Sequence, residues 1–198
     1  MIRLPPLPPG EWPEEMAEAL AALLPPDPRH PMPPRDPDRP KGRNALGLFA
    51  HHPALTRAFN TFNGHILFAT TLTERQRELL VLRVATRRQC EYEWLQHVLL
   101  GRDAGLDAAD LDRVVAGPDA HGWDDLERAL LAAVDELLAD ARVHDMTWAT
   151  LAAHLDGPQL LDVVFTVGAY DLVAMAFKTF AVEPDEDLLR AVRKPASP

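Results

Sequence analysis

Cys90, Glu93 and His97 stand at i, i+3 and i+7 in the run CEYEWLQH. On a helix that spacing puts a thiol, a carboxylate and an imidazole on one face. Such a trio can move protons or attack an electrophile. At a helix N-terminus Cys90 would feel the partial positive charge of unsatisfied N–H groups, which favours thiolate and hence reactivity. Glu93 and His97, an i, i+4 pair, are spaced to hydrogen-bond, with the carboxylate fixing the imidazole tautomer and raising its basicity. Glu78 is the fourth candidate. It sits in the apolar run LLVLRVA and its flank, where a carboxylate needs a partner or a proton.

Two helices must position these groups. Thr73, with Gln76 three residues on, reads as an N-cap with its capping-box partner, so one helix begins there. Leu79, Leu80, Leu82, Val84 and Ala85 are nearly continuous, which predicts burial on more than one side. Arg87, Arg88 and Gln89 interrupt the pattern. A second helix then runs from near Cys90 to about Ala104, where Gly105 supplies a stop. If the two pack as a hairpin, Glu78 approaches the trio from the other side. Tyr92 and Trp94 would wall the pocket, and Arg83, Arg87 or Arg88 could hold a substrate carboxylate.

The pattern RELLVLRVA, a short turn, C-x-Y-E-W-x-x-H and a later AGL resembles the carboxymuconolactone decarboxylase and alkylhydroperoxidase D-like superfamily. The likeness is specific over this stretch and extends more weakly over Phe49 to Phe68 and Leu126 to Val182. It implies an all-α fold, an alkylhydroperoxidase D-like helical bundle, and a homo-oligomer, commonly a trimer or hexamer. In the peroxidase branch a C-x-x-C pair is followed four residues later by histidine, with a glutamate upstream. Cys90 matches the first cysteine, His97 the histidine and Glu78 the glutamate. Position 93, where the second cysteine belongs, is Glu93. A chain with one cysteine cannot form the intramolecular disulfide of that branch. The decarboxylase branch works by acid–base chemistry on a lactone acid, and an acid at position 93 leans toward it.

Three functions follow as expectations. The first is a carboxymuconolactone decarboxylase-like enzyme, with His97 oriented by Glu93 as general base or acid and Glu78 relaying a second proton on a small lactone or carboxylic acid. The second is reduction of hydroperoxides through Cys90 with an external thiol reductant. The third is an oligomeric binding protein that kept the fold and lost the chemistry. Against all three stands the plain structural alternative: Glu78 paired with an arginine such as Arg83, His97 a satisfied core histidine, Cys90 a small buried hydrophobe. Neither a metal nor another cofactor is expected, because Glu93 and His97 supply two ligands where three or four are needed.

The chain of 198 residues carries a net charge of −10 and scattered basic residues, which argues against a nucleic-acid surface. The single cysteine fits a reducing compartment. No stretch reads as a membrane span, and MIRLPPLPPGEW lacks the apolar core of a signal peptide, so a cytoplasmic protein acting on a small molecule is expected.

The remaining chain divides into a proline-rich arm over 1–43, a helical domain over 44–185 and a tail over 186–198. The arm holds one helical run, Glu14 to Leu24, before PPDPRHPMPPRDPDRP, which should lie extended along the surface. Pro53 opens a helix whose buried stripe is expected at Leu55, Phe59, Phe62, Ile66 and Leu67. His65 falls near that stripe and could face the pocket. His51 and His52 read as surface or capping residues. Further helices are expected after Asp107, after Asp124 or Asp125, and after Asp145, with Trp148 and Leu151 anchoring the last. The segment PQLLDVVFTVGAYDLVAMAFKTFAV is apolar almost all round and long enough for helix, either central or a subunit contact.

Overall fold

The structure, a computed structural model, describes residues 2–30 and 39–193, and every regular element among them is helical. They form two units, the chain up to Thr70 with the residues from Met175 on, and Thr71 to Ala174.

The first unit opens with α1 (Met16–Ala21), α2 (Arg43–Phe49) and α3 (Pro53–Gly64), which widens into a π-helical turn at His65–Ala69. α1 is shorter than the expected run from Glu14 to Leu24. Its end tightens into three-residue turns, Leu23 N–H to Leu20 and Leu24 N–H to Ala21, ahead of Pro25, which disfavours helix in the residue before it. The middle of the proline-rich stretch, 31–38, lies outside the described residues. Met16, Ala19 and Ala50 form a small core against Leu7, Trp12, Leu20 and Phe49.

Of the stripe expected on α3 and the turn after it, Ile66 is buried and Phe59, Phe62 and Leu67 are half-buried, but Leu55 faces outward. Leu55 is 61% exposed, while Thr56, Asn60 and Gly64 are buried. The cause is the close approach of α1 and the turn after it. Asn60 Nδ2 donates to the Ala19 carbonyl at 2.8 Å, and Thr56 Oγ1 donates to the Phe49 carbonyl at 2.7 Å. A Cβ on Gly64 would lie 2.3 Å from the Leu23 carbonyl oxygen, so only glycine fits. His52 caps α3 by accepting from the Leu55 N–H, and His51 Nε2 meets the Pro5 carbonyl.

The second unit contains α4 (Glu74–Arg88), α5 (Glu91–Asp103), α6 (Ala108–Ala116), α7 (Asp125–Asp140), α8 (Asp145–His154) and α9 (Gly157–Phe180) as far as Ala174. After α9, α10 (Glu186–Arg193) returns to the first unit, where the Asp185 carboxylate accepts from the Asn44 N–H. α4 is the axis of the second unit, packed against α5, α6 and α7 and buried from Arg77 through Ala85. Thr73 and Gln76 form the expected capping box, as do Asp107 with Asp110 and Asp124 with Glu127 at the starts of α6 and α7.

Ion pairs tie these helices together. The Arg83 guanidinium grips Asp135 of α7 with two bonds, 2.8 Å from Nε to Oδ1 and 2.6 Å from Nη2 to Oδ2. Its Nη1 donates to the Val114 and Val115 carbonyls at the end of α6. Gly117 makes room for it, with φ at 107° and a hypothetical Cβ 2.8 Å from Nη2. Arg75 binds Asp110 and Glu127, and Arg113 also bonds Asp110. With Arg75 as the largest cause, the Asp110 carboxyl is held down at about 2.

α8 begins where expected, with Leu151 buried, but Trp148 is 48% exposed and does not anchor it. α9 is long and apolar enough to cross a membrane by length and composition, and 44% of its most apolar window is buried within the chain. Its buried face includes Val163, Thr166, Val167, Ala169, Tyr170 and Ala174. The other face exposes Leu161, Val164, Phe165 and Leu172.

Candidate active site

The junction between α4 and α5 is a single tight turn. Gln89 ends α4 in the left-handed region at φ 52°, and Cys90 becomes the N-cap of α5. The Cys90 N–H turns back to the Ala85 carbonyl at 2.9 Å. α5 therefore starts one residue after Cys90, and the chain folds back along α4 so that Glu78 and His97 meet.

His97 Nδ1 lies 2.7 Å from Glu78 Oε2, and Arg77 Nε donates to Glu78 Oε1 at 2.8 Å. Glu78 is wholly buried, and Arg77 and His97 nearly so. Burial alone would push the Glu78 carboxyl up. His97 and Arg77 together outweigh it and hold the group below the ordinary carboxylate value. An ionised Glu78 only accepts hydrogen bonds, so the His97 nitrogen that faces it, Nδ1, carries a hydrogen. The Tyr170 ring packs edge-on against the imidazole, with centroids 4.8 Å apart and planes at 87°.

Glu93 does not orient His97, because Glu78 on the facing helix has taken Nδ1. Glu93 is 2% exposed, and beyond the Cys90 thiol neither of its oxygens has a hydrogen-bond partner. Burial pushes its carboxyl well above the ordinary range, the nearby Cys90 thiol opposes that shift, and the charge of Asp171 adds to it. Asp171 itself is gripped by Arg88, at 2.6 Å from Nε to Oδ1 and 3.0 Å from Nη2 to Oδ2. Burial raises the Tyr170 hydroxyl well above its usual value, and the charges of Glu78 and Glu93 raise it further. Tyr170 thus lies within electrostatic reach of both carboxyls and joins the two pairs into one cluster.

The other expected residues are distributed as follows. Cys90 is buried at the start of α5, Tyr92 is buried and Trp94 half-buried on the same helix. Arg83 is committed to Asp135 and two backbone carbonyls, and so serves as a clamp between helices. Arg87 also pairs with Asp135, and Arg88 with Asp171. His65 is exposed and belongs to the first unit. Arg77, Asp171 and the placement of Tyr170 were not anticipated. A signal existed for Arg77, since a charged residue directly before a buried acid in an apolar run is a natural counter-ion. The pair Tyr170-Asp171 also stands out within α9.

Among the described residues no three of His, Cys, Asp and Glu converge as metal ligands. Two clefts open elsewhere, one between α7 and α8 around Ala132 and Ala149, the other in the first unit around His52 and Arg57.

Residues 53–136 match the model of the carboxymuconolactone decarboxylase family. No curated protein matches the chain. Among solved structures, an alkylhydroperoxidase AhpD core, a peroxidase-related protein from Ralstonia eutropha, superposes with a TM-score of 0.76 at 18% identity, covering 98% of this chain and 97% of that one. A peroxidase-related protein from a Silicibacter species gives 0.63 at 16% identity, over 83% of this chain and 95% of that one. The debrominase Bmp8, in complex with 2,3,4-tribromopyrrole, gives 0.69 at 14% identity, over 95% and 94%. At these identities the likeness is one of fold. Residues 53–136 thus resemble the carboxymuconolactone decarboxylase family, and the chain as a whole shares the all-helical alkylhydroperoxidase D-like fold.

Proposed function

We propose that the protein is an enzyme of carboxymuconolactone decarboxylase type, which moves a proton on a small lactone or carboxylic acid. The observation that carries this reading is the buried Glu78–His97 pair at 2.7 Å. Glu78 fixes the tautomer and stabilises the imidazolium once Nε2 has taken a proton, so His97 is the general base and then the acid. Two carboxyls pushed to opposite sides of their ordinary value, Glu78 down and Glu93 up, are what a site needs to hold both a base-orienting anion and a neutral acid. The test is turnover of a panel of lactone acids and small carboxylic acids, with product and CO2 followed by mass spectrometry. His97→Ala should slow any accepted substrate by about 10²–10⁴-fold. Unchanged turnover in that variant would remove His97 from the mechanism.

A second reading is thiol chemistry on a hydroperoxide. It is favoured by Cys90 at the N-cap of α5 beside Glu93, and by the peroxidase-related proteins that share the fold. Cys90→Ser should abolish peroxide consumption under this reading and leave it unchanged under the first.

The exposed apolar stripe of α9, Leu161, Val164, Phe165 and Leu172, supports assembly into a homo-oligomer, with copies of this chain covering one another's stripes.

A further inference from the structure

Glu93 occupies the third position of α5, the place from which a side chain reaches back to the N-cap N–H. Gln76, Asp110 and Glu127 do so at the same position of α4, α6 and α7, and Gln159 does so with Asp156 at the start of α9. At α5 that N–H is already given to the Ala85 carbonyl, and the N-cap side chain is a thiol that makes no capping bond. Glu93 is thereby left with two oxygens inside the protein and no hydrogen-bond partner beyond the Cys90 thiol. A buried carboxyl met only by a thiol is costly, and structure of this kind persists where the group has other work. Its neighbour in the cluster is Cys90, itself 3% exposed.

We propose that Glu93 is a catalytic proton relay for Cys90, using one oxygen to receive the thiol proton and the other to release a proton to the leaving group. This rests on the thiol reading above and names its missing acid. A neutral carboxylic acid can accept at its carbonyl oxygen while it donates from its hydroxyl, so no charge is created in a site too dry to support one. With an organic hydroperoxide as oxidant, the Cys90 sulfur attacks the terminal oxygen. The S–O bond forms as the O–O bond breaks, the thiol proton passes to Glu93, and the proton Glu93 held passes to the departing alkoxide. Cys90 ends as a sulfenic acid, the peroxide as an alcohol, and Glu93 as the neutral acid it was. Sulfur is oxidised by two electrons and the peroxide reduced by two. So closed a site suits a small oxidant without charge.

The test compares wild type, Glu93→Gln and Cys90→Ser with ethyl hydroperoxide, trapping sulfenic acid for mass spectrometry, and runs alkylation by iodoacetamide in parallel. Iodide leaves without a proton, so alkylation reports thiol access alone. Oxidation in Glu93→Gln should fall by about 10²-fold, alkylation should change little, and the solvent deuterium isotope effect seen in wild type should vanish. Equal rates of oxidation in wild type and Glu93→Gln, or equal losses in both reactions, would overturn the relay while leaving the thiol reading in place. Wild type oxidised no faster than a free cysteine would overturn both. Should Glu93→Gln fail to fold, infrared spectra of the wild type with isotope-labelled glutamate decide the point. A neutral carboxylic acid band at neutral pH supports the relay, and its absence refutes it.

Discussion

His97 takes its hydrogen-bond partner from across the helix pair, Glu78 at 2.7 Å, and not from Glu93, one turn away on its own helix. That choice sets the roles of both acids. Glu78, met by His97 and Arg77, is held toward its anion, and the burial of Glu93, met by neither, favours its neutral form.

Glu78→Gln should be severe. It keeps the shape of the side chain but leaves Arg77 buried without its counter-ion and His97 without a full acceptor. Breaking a buried pair in this way costs about 3–5 kcal/mol. Urea denaturation of the variant against wild type measures it, and a loss below about 1 kcal/mol would mean that the pair behaves as a surface contact.

Stability should respond to pH in opposite senses at the two acids. Glu78 has a lowered folded value, so its contribution is present above the ordinary 4.5 and is lost as pH falls through that lowered value. Glu93 has a raised one, so the unfolded chain gives up this proton first, and stability declines as pH climbs from 4.5 toward the folded value. The groups acting on Glu93 are the Cys90 thiol, the Asp171 carboxylate with its Arg88 partner, and Tyr170. Glu93→Gln should therefore gain on wild type steadily as pH rises above 4.5. Parallel pH profiles of unfolding free energy would show Glu93 ionised in the folded protein.

Arg83→Ala should destabilise by about 3–5 kcal/mol and leave the pH profile of any accepted reaction unmoved, because Arg83 binds α6 and α7 and not the His97 cluster. Thermal unfolding with a pH–rate profile separates these effects. A rise in KM alone, with stability intact, would restore the substrate-holding role that its position beside the motif suggests.

How legible this was from sequence differs by the range of the interaction. Thr73, Asp107 and Asp124 announce helix starts because capping is local chemistry, completed within three residues. The i, i+4 spacing of Glu93 and His97 is equally local, yet it pointed to the wrong partner. Only the crossing of α4 and α5 brings Glu78 to the imidazole, and its place in a buried apolar run, with the family resemblance beside it, is what singles that glutamate out. Asp135 and Asp171, the partners of Arg83 and Arg88, lie far along the chain, and nothing local ties either acid to its arginine. On α3 the hydrophobic pattern found Ile66 but missed Gly64, Asn60 and Thr56, which backbone carbonyls of Leu23, Ala19 and Phe49 approach closely while Leu55 faces outward.

Gly64→Ala tests that close approach. With the Leu23 carbonyl oxygen 2.3 Å from the new Cβ, the backbone of one element must shift, at about 1–3 kcal/mol. A melting temperature unchanged from wild type would show that the first unit yields easily there.

Phe165→Glu with Leu172→Glu should break the proposed assembly through α9, both side chains being more than half exposed in the single chain. Light scattering should give a smaller species with helicity unchanged. The same mass in both proteins would place the subunit contact elsewhere.

The most direct measurement is deuterium incorporation from D2O into a panel of small lactones and carboxylic acids, followed by proton NMR, with wild type and His97→Ala side by side. Proton transfer through the Glu78–His97 pair predicts exchange at the carbon beside the carbonyl in wild type, slowed by about 10²-fold or more in the variant. Exchange that proceeds equally in both proteins, or in neither above the buffer rate, would contradict it.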